Sequence, residues 1–348
     1  MQPVHESVDV IIVGAGICGV SVARLLQGQG TVTWNIIDKG RSVGGRMATR
    51  RVAGERFDHG AQFFTARSDN FKSLIECLSK EGVVKDWVRG FKKDSEKSST
   101  IADGNDGFPR YVGVEGMNQV VKHLAAKLPS EHIHLQEKLI GIDILGENLG
   151  LRCESGNTYA ARTVLLTMPL PQVNPLLDGL STDSVFTDVL SQIRSVDYDP
   201  CVALMGYFSQ DEIPMSLMPY KSENAPISFV SDNYSKGISK VPGSLTIHLS
   251  PEASRGLFAT ENEFIKDFVC EQLGRQFGIK TVSKPTVYEV QKWRYAAPQA
   301  VLGKPFLSWQ TRLPNGPKIF VAGEAFSGPK IEGAYLSALA VSAELLGS

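Results

Sequence analysis

Val8-Asp9-Val10-Ile11-Ile12-Val13-Gly14-Ala15-Gly16-Ile17-Cys18-Gly19 decides the fold. Val8–Val13 reads as a buried parallel strand, the glycines as a turn, and Val20–Leu26 as the start of a helix. The glycines differ in what they allow: a tight turn at Gly14, close approach of a pyrophosphate at Gly16, and helix–strand packing at Gly19. Unpaired amides at the positive helix end favour the phosphate charges. Asp38 closes the next strand, Thr33–Ile37, nineteen residues after Gly19, where a carboxylate can accept hydrogen bonds from ribose hydroxyls. Strand, turn, helix and acid together predict a dinucleotide site.

The bulk composition narrows the class. At 348 residues the chain suits two closely joined domains. A net charge of −1 gives no electrostatic case for nucleic acid or an acidic membrane surface. Cys18, Cys77, Cys153, Cys201 and Cys270 are odd in number and scattered, which predicts reduced thiols in a cytoplasmic setting. Met1–Ser7 carries no basic-plus-apolar leader, and no apolar run reaches the ~18–20 residues of a membrane span. The expected partners are small molecules; oligomeric state is not legible.

Along the chain, Phe57–Phe64 reads as a short buried segment, Phe71–Ser79 as a helix, and Lys92–Gly107 as a polar mobile loop. Gly116–Leu128 has helical spacing, His132–Ile144, Gly150–Glu154 and Tyr159–Met168 read as strands, and the last of these is nearly unbroken in its apolar run. Asp199–Phe208, Ile227–Val230, Ser244–Ser250 and Thr286–Lys292 read as further strands, Glu261–Phe277 as a helix, then Lys318–Val321 as a strand and Gly333–Leu346 as a closing helix. The fold expected is α/β: a doubly wound, Rossmann-like dinucleotide-binding domain with a mixed, mainly antiparallel substrate domain. Residues 1–66, 109–170 and 286–348 are assigned to the first, 67–108 and 171–285 to the second.

Four constellations carry chemistry. Gly44-Gly45-Arg46-Met47 lets backbone approach a ligand while Arg46 forks onto phosphate oxygens. Phe57-Asp58-His59-Gly60-Ala61-Gln62-Phe63-Phe64 suits a backbone laid along a flat ring. Adjacent residues of an extended segment face opposite ways, so Asp58 is read as structural and His59 as a candidate contact. Gly323-Glu324 ends an apolar strand where a carboxylate can bind polyol hydroxyls. Gly333 and Ala334 put free amides at a helix start, favouring negative charge on a ligand ring such as a reduced flavin. This second acidic strand end separates FAD from NAD as the dinucleotide. Lys292-Trp293-Arg294-Tyr295-Ala296-Ala297-Pro298 can wall a flat substrate or serve as core. His248 lies in an apolar strand. His132-Ile133-His134 has no third ligand nearby, so no metal site is expected.

In this order the motifs resemble the renalase-like branch of FAD-dependent oxidoreductases, within the amine-oxidase and glutathione-reductase-type flavoproteins. The matching residues are Gly14–Gly19 with Asp38, Gly44–Met47, Asp58–Gln62, Leu166-Thr167-Met168-Pro169-Leu170-Pro171-Gln172, Trp293–Pro298, Gly323-Glu324 and Glu332-Gly333-Ala334. The resemblance implies FAD contacts from Gly14, Ala15, Gly16, Ile17, Cys18, Asp38, Lys39, Gly45, Arg46, Met47, Gly60, Ala61, Gln62, Leu139 (backbone to adenine), Met168, Trp293, Gly323, Glu324, Gly333 and Ala334. It also places His248 facing the flavin, with Gln62 and Tyr295 as further catalytic candidates. Amine oxidases commonly bring a lysine to the flavin from a cap strand, but Pro200–Met205 carries none. No cysteine follows Cys270 to tether the cofactor, so non-covalent FAD is expected.

The implied activity is oxidation of misreduced dihydronicotinamide isomers of NAD(P)H, with hydride passing to flavin and O2 becoming H2O2. Oxidation or desaturation of a secondary amine or lipophilic small molecule is the alternative. A flavin-bound protein acting only by binding a partner is a third.

Overall fold

The computed structural model describes residues 7–94, 101–181, 183–313 and 315–347. Among the described residues, two large sheets and one two-stranded hairpin make up the β-structure. In the first, β1 (Val8–Val13) lies between β2 (Trp34–Asp38) and β10 (Thr158–Leu166), all parallel, with β17 (Lys318–Val321) parallel beyond β10 and β7 (Ile133–Leu135) beyond β2. β16 (Leu307–Gln310) is an antiparallel edge, and β8 (Leu139–Leu145) with β9 (Asn148–Cys153) forms an antiparallel flap on β10. Alternate side chains of β1 feed two separate cores. Val10 and Ile12 pack with α1 (Ile17–Gln29), α3 (Asn118–Ala125) and α9 (Ile331–Leu346). Ile11 and Val13 pack with α4 (Leu170–Leu177) and α5 (Ser184–Arg194). This two-sided burial is why the central strands read as continuous apolar runs.

The second sheet runs β15 (Tyr288–Pro298), β11 (Tyr198–Tyr207), β14 (Ser244–Leu249), β13 (Ile227–Asp232), β12 (Tyr220–Lys221), β5 (Val84–Asp94), β6 (Ile101–Gly113). One face, with Val202, Leu204, Val230, Leu245 and Ile247, packs on α6 (Pro251–Leu257) and α7 (Asn262–Phe277). The opposite face meets the hairpin of β3 (Thr49–Val52) and β4 (Glu55–Asp58), with Met205 against Phe57 and Val52. α2 (Asp69–Lys80) is capped by Ser68, whose Oγ accepts from the Phe71 amide, and α8 (Glu324–Ser327) is a single turn before α9.

Several expectations change. Lys92–Gly107, expected as a mobile loop, forms the paired arms of β5 and β6 up to Asp94 and from Ile101; residues 95–100 lie outside the described residues. Backbone pairing governs there: β5 also pairs with β12, so strand formation does not need apolar side chains at each position. β15 extends through Trp293 to Pro298 and belongs to the second sheet, because it pairs with β11 along its length. Conversely, α4 and α5, read with the substrate domain, cover the first sheet. All five cysteines are free. Among the described residues no helix is long and apolar enough to cross a membrane.

Candidate active site

The glycines of the first turn divide by what surrounds them. A Cβ on Gly14 (φ +117°) would lie 2.4 Å from Thr167 Oγ1, and one on Gly19 2.0 Å from the Gly14 carbonyl oxygen. Protein packing therefore accounts for both. Gly16 has no atom within 4 Å of such a Cβ, so the space beside the α1 N-terminus is open. The Gly44 amide donates to the Ala15 carbonyl at 2.9 Å, and a Cβ on Gly45 would lie 3.5 Å from Gly16 Cα, so the second glycine loop walls that space. A cradle of this kind, open at a helix start beside an arginine-bearing loop, fits a dinucleotide pyrophosphate. Ile17 and Cys18 are buried in the first helical turn, and burial pushes the Cys18 thiol up, so it is inert. Met47 is buried behind the loop, its amide donating to the Gly44 carbonyl at 3.0 Å.

Asp38 sits at the end of β2 with Oδ2 accepting from the Ala15 amide (2.7 Å) and Oδ1 from the Gly40 amide (2.6 Å). It braces the loop as well as offering its remaining lone pairs to a ribose. Hydrogen bonds from the Glu137 and Gln136 amides to the Asp38 and Gly40 carbonyls bring the approach to Leu139 alongside it. Lys39 donates to Gln172 at 2.8 Å on the surface. Met168 follows Thr167, whose hydroxyl donates to the Val13 carbonyl at 3.0 Å.

At the C-terminal end, Glu324 is buried and takes Arg46 on one oxygen (2.6 Å) and the Tyr198 hydroxyl on the other (3.0 Å). Arg46 also donates to the Tyr295 and Ala296 carbonyls. Arg46 thus joins the phosphate loop to the second sheet. Tyr295, whose ring packs on Tyr198, lies in this cluster. Gly323 donates its amide to Ser337 Oγ at 2.9 Å. The expectation of a free amide at Ala334 is corrected: it donates to the Lys330 carbonyl as the first bond of α9. The amides of Ile331, Glu332 and Gly333 precede that bond. Gly333 has its own packing reason, since a Cβ would lie 2.1 Å from the Gly328 carbonyl oxygen.

Against the Arg46 backbone runs the segment 58–62. A Cβ on Gly60 would meet the Arg46 carbonyl oxygen at 1.9 Å, and the Ala61 amide donates to that same oxygen at 2.8 Å. Asp58 is fully buried: Oδ1 accepts from Thr49 Oγ1 (2.6 Å) and the Met117 amide (2.8 Å), and Oδ2 pairs with Lys236 Nζ at 3.3 Å. His59 stacks on Trp293, ring centroids 5.4 Å apart and 14° between planes, while the indole N–H donates to the His59 carbonyl at 2.8 Å. His59 Nδ1 is buried without a hydrogen-bond partner, an unsatisfied site of the kind a polar ring system fills. Gln62 Nε2 reaches His248 Nε2 at 3.2 Å. β14 brings His248 into a cross-strand row with Ala203 and Gln291, beside Phe229 of β13. Phe63, Phe91 and Phe229 continue the wall with centroids 4.8–5.8 Å apart.

Burial first, then Arg50 and His248, push His59 down to about 3. Burial first, then Lys236, pushes His248 down to about 4. Both imidazoles are neutral at pH 7. The unfolded chain binds protons at these histidines near pH 6.5 and the folded chain does not. Stability from this source is complete above about pH 6.5 and falls as pH drops toward 4 and then 3, by about 1.4 kcal/mol per pH unit per histidine. Thermal melts from pH 7.5 to 4.5 are expected to show this slope, and it should be smaller in His59→Phe; an equal slope in both contradicts the assignment.

The structure therefore gathers Gly14, Ala15, Gly16, Asp38, Gly45 and Arg46 around the cradle, and Arg46 reaches Glu324 and the Tyr295 carbonyl directly. Ala61, beside Gly60, donates to the Arg46 carbonyl, Gln62 meets His248, and Trp293 meets the His59 carbonyl. Three further residues support segment 58–62 and carry no sequence signal: Lys236, paired with Asp58; Ser231, whose Oγ donates to Gln62 Oε1 at 2.6 Å; and Asn233, whose Oδ1 accepts from the Asp58 amide at 3.2 Å. A lysine in Asp232-Asn233-Tyr234-Ser235-Lys236 looks like part of a solvated turn, and no local signal marks it as buried.

The family model for flavin-containing amine oxidoreductases matches residues 84–346, and one for an NAD(P)-binding Rossmann-like domain matches residues 12–78. A wild-type putrescine oxidase bound to putrescine shares the fold at TM-score 0.69 and 14% identity, over 99% of this chain and 100% of that one. An Exiguobacterium sp. 255-15 protein assigned as a protoporphyrinogen oxidase does so at TM-score 0.76 and 14% identity, over 98% and 99%. The family match fits the open cradle: the chain belongs to the flavin-containing amine oxidoreductase family, with FAD as its cofactor.

Proposed function

We propose that this protein is an FAD-dependent oxidase taking hydride from a flat, reduced nitrogen heterocycle, with misreduced dihydronicotinamide isomers of NAD(P)H as the substrate class. The electron count closes as reduced isomer plus O2 plus one proton giving NAD(P)+ and H2O2. The observation that carries this reading is the electrostatic state of the site. His59 and His248 are neutral, Asp58 is paired with Lys236, and Glu324 is paired with Arg46. An ammonium substrate calls for an unpaired carboxylate and a route for its proton. A neutral ring calls only for stacking surfaces and a few oriented polar atoms, which His59, Trp293, Phe229 and His248 supply.

Bound FAD supplies the two-electron acceptor. Gly16, Gly45 and Arg46 would hold the pyrophosphate, Asp38 the ribose, and Glu324 the polyol hydroxyls. Gly333, ahead of the first α9 hydrogen bond, favours negative charge at the ring. Trp293 and the aromatic wall would exclude water and orient the donor carbon toward the ring. His248, Gln62 and Tyr295 are assigned to substrate orientation, and the second sheet to the substrate side.

Oxidation of an amine is the second reading, favoured by the family match and the likeness to putrescine oxidase. Anaerobic mixing of the flavoprotein with isomerised NADH and with an amine panel separates them. Bleaching of the flavin band within the mixing experiment by the isomers, with H2O2 formed on admitting air, is expected. Bleaching by amines alone rejects the nicotinamide reading. Acid or heat should release all of the flavin from the chain.

A further inference from the structure

Lys236 is fully buried, held in a turn whose Asp232 carboxylate accepts from the Tyr234 and Ser235 amides. Its Nζ donates to Gln62 Oε1 at 2.8 Å and to Asp58 Oδ2 at 3.3 Å, and lies 5.1 Å from the Trp87 ring centroid. Ser231 Oγ donates to the same Gln62 oxygen at 2.6 Å. The other end of that amide, Nε2, lies 2.7 Å from the Asp58 carbonyl, 2.9 Å from the Gly60 carbonyl and 3.2 Å from His248 Nε2.

An ammonium group has donors and no acceptor, so the Gln62 atom facing Lys236 must be oxygen. Ser231 can adapt to either orientation of the amide; Lys236 cannot. The two backbone carbonyls impose the same sense from the opposite end. The two amide N–H groups face three acceptors, the Asp58 and Gly60 carbonyls and, at the longest distance, His248 Nε2. An amide nitrogen does not accept hydrogen bonds, so a proton on Nε2 would find no acceptor there, and the neutral ring carries its proton on Nδ1. A second proton, on Nε2, would set two donors against each other. Only a flip of Gln62 relieves that conflict, and the flip turns the amide N–H groups toward Lys236.

We propose that Lys236 is a positioning residue that acts through Gln62 to hold His248 as the neutral Nδ1–H imidazole, unable to take up a proton during turnover. Charge around His248 acts in the same sense: Lys236 on the turn after β13 disfavours the imidazolium, and Arg50 of β3 does the same for the neighbouring His59. The His59 backbone carbonyl is the one contact favouring a protonated ring, and Asp58 is paired with Lys236. The consequence is substrate selection. A site whose histidine is barred from acting as a base favours donors that surrender hydride without first losing a proton. This deepens the oxidase reading above and rests on it for its meaning in catalysis, while the lock itself is a property of the protein.

The test is nitrogen NMR of [15N]histidine-labelled protein, with and without FAD. His248 is assigned among the six histidines by subtraction in His248→Gln. Wild-type protein is expected to show an unprotonated Nε2 and a protonated Nδ1 at pH 7, persisting to about pH 5. Lys236→Met should raise the His248 midpoint by about 1–3 pH units, the range of one adjacent charge. Lys236→Arg should leave it near the wild-type value. If Lys236→Met does not fold, the neutral pair Asp58→Asn/Lys236→Met carries the same readout. An Nε2–H tautomer in wild type, or an unmoved His248 titration without the lysine, overturns the proposal. Failure of the protein to take up any flavin overturns the oxidase reading instead, and leaves the tautomer result standing.

Discussion

Gly16→Ala is expected to remove flavin retention with little change in folding, whereas Gly19→Ala removes both. The two glycines lie three residues apart in one turn, and their surroundings differ. Nothing lies within 4 Å of a methyl group at Gly16, and its φ of −80° is open to any residue. A methyl there occupies only the space left for the pyrophosphate. Overpacking of this kind costs about 1–3 kcal/mol, or roughly 5- to 200-fold in the dissociation constant for FAD. At Gly19 the methyl would stand 2.0 Å from the Gly14 carbonyl oxygen, a backbone atom that cannot move aside without opening the β1–α1 turn. Flavin absorbance after gel filtration, with the denaturant midpoint of each variant, checks both. A Gly16→Ala protein that keeps its colour at low micromolar concentration contradicts the cradle.

The second large effect is at Lys236. Its removal leaves the Asp58 carboxylate fully buried without its cation, and breaking a buried pair on one side costs about 3–5 kcal/mol. Lys236→Ala should therefore lower the denaturant midpoint steeply. Asp58→Asn/Lys236→Met should recover most of the loss, because the introduced carboxamide keeps the oxygen that accepts from Thr49 and Met117 while the charge is gone from both members. Equal destabilisation in single and double variants would mean that packing, not charge pairing, dominates here. Chemical denaturation followed by tryptophan fluorescence reads both variants.

The motifs that recur at fixed spacing were legible. Gly14, Gly16, Gly19 and Asp38 act within one strand–turn–helix unit, so nearest neighbours in sequence are nearest neighbours in space. The Glu324 carboxylate was legible for a similar reason, as the acid that ends an apolar strand. Lys92–Gly107 misled because its strands are held by backbone pairing and carry polar side chains, which removes the apolar alternation that strand reading depends on. β15 misled on membership: a strand's period shows that it pairs, and says nothing about which sheet receives it.

What the sequence determined by itself is the dinucleotide-binding scaffold and the identity of its cofactor, since both follow from local order: glycine turn, helix start, acidic strand end. Only the tertiary structure decided that Asp38 braces its own loop, that Arg46 meets Glu324, and that Ala334 has no free amide. It alone revealed Lys236 behind Gln62 and His248. Those three residues come from positions 62, 236 and 248, on separate strands and turns. Burial of a charge depends on what packs over it, and that is a property of the assembled sheets rather than of any stretch of chain.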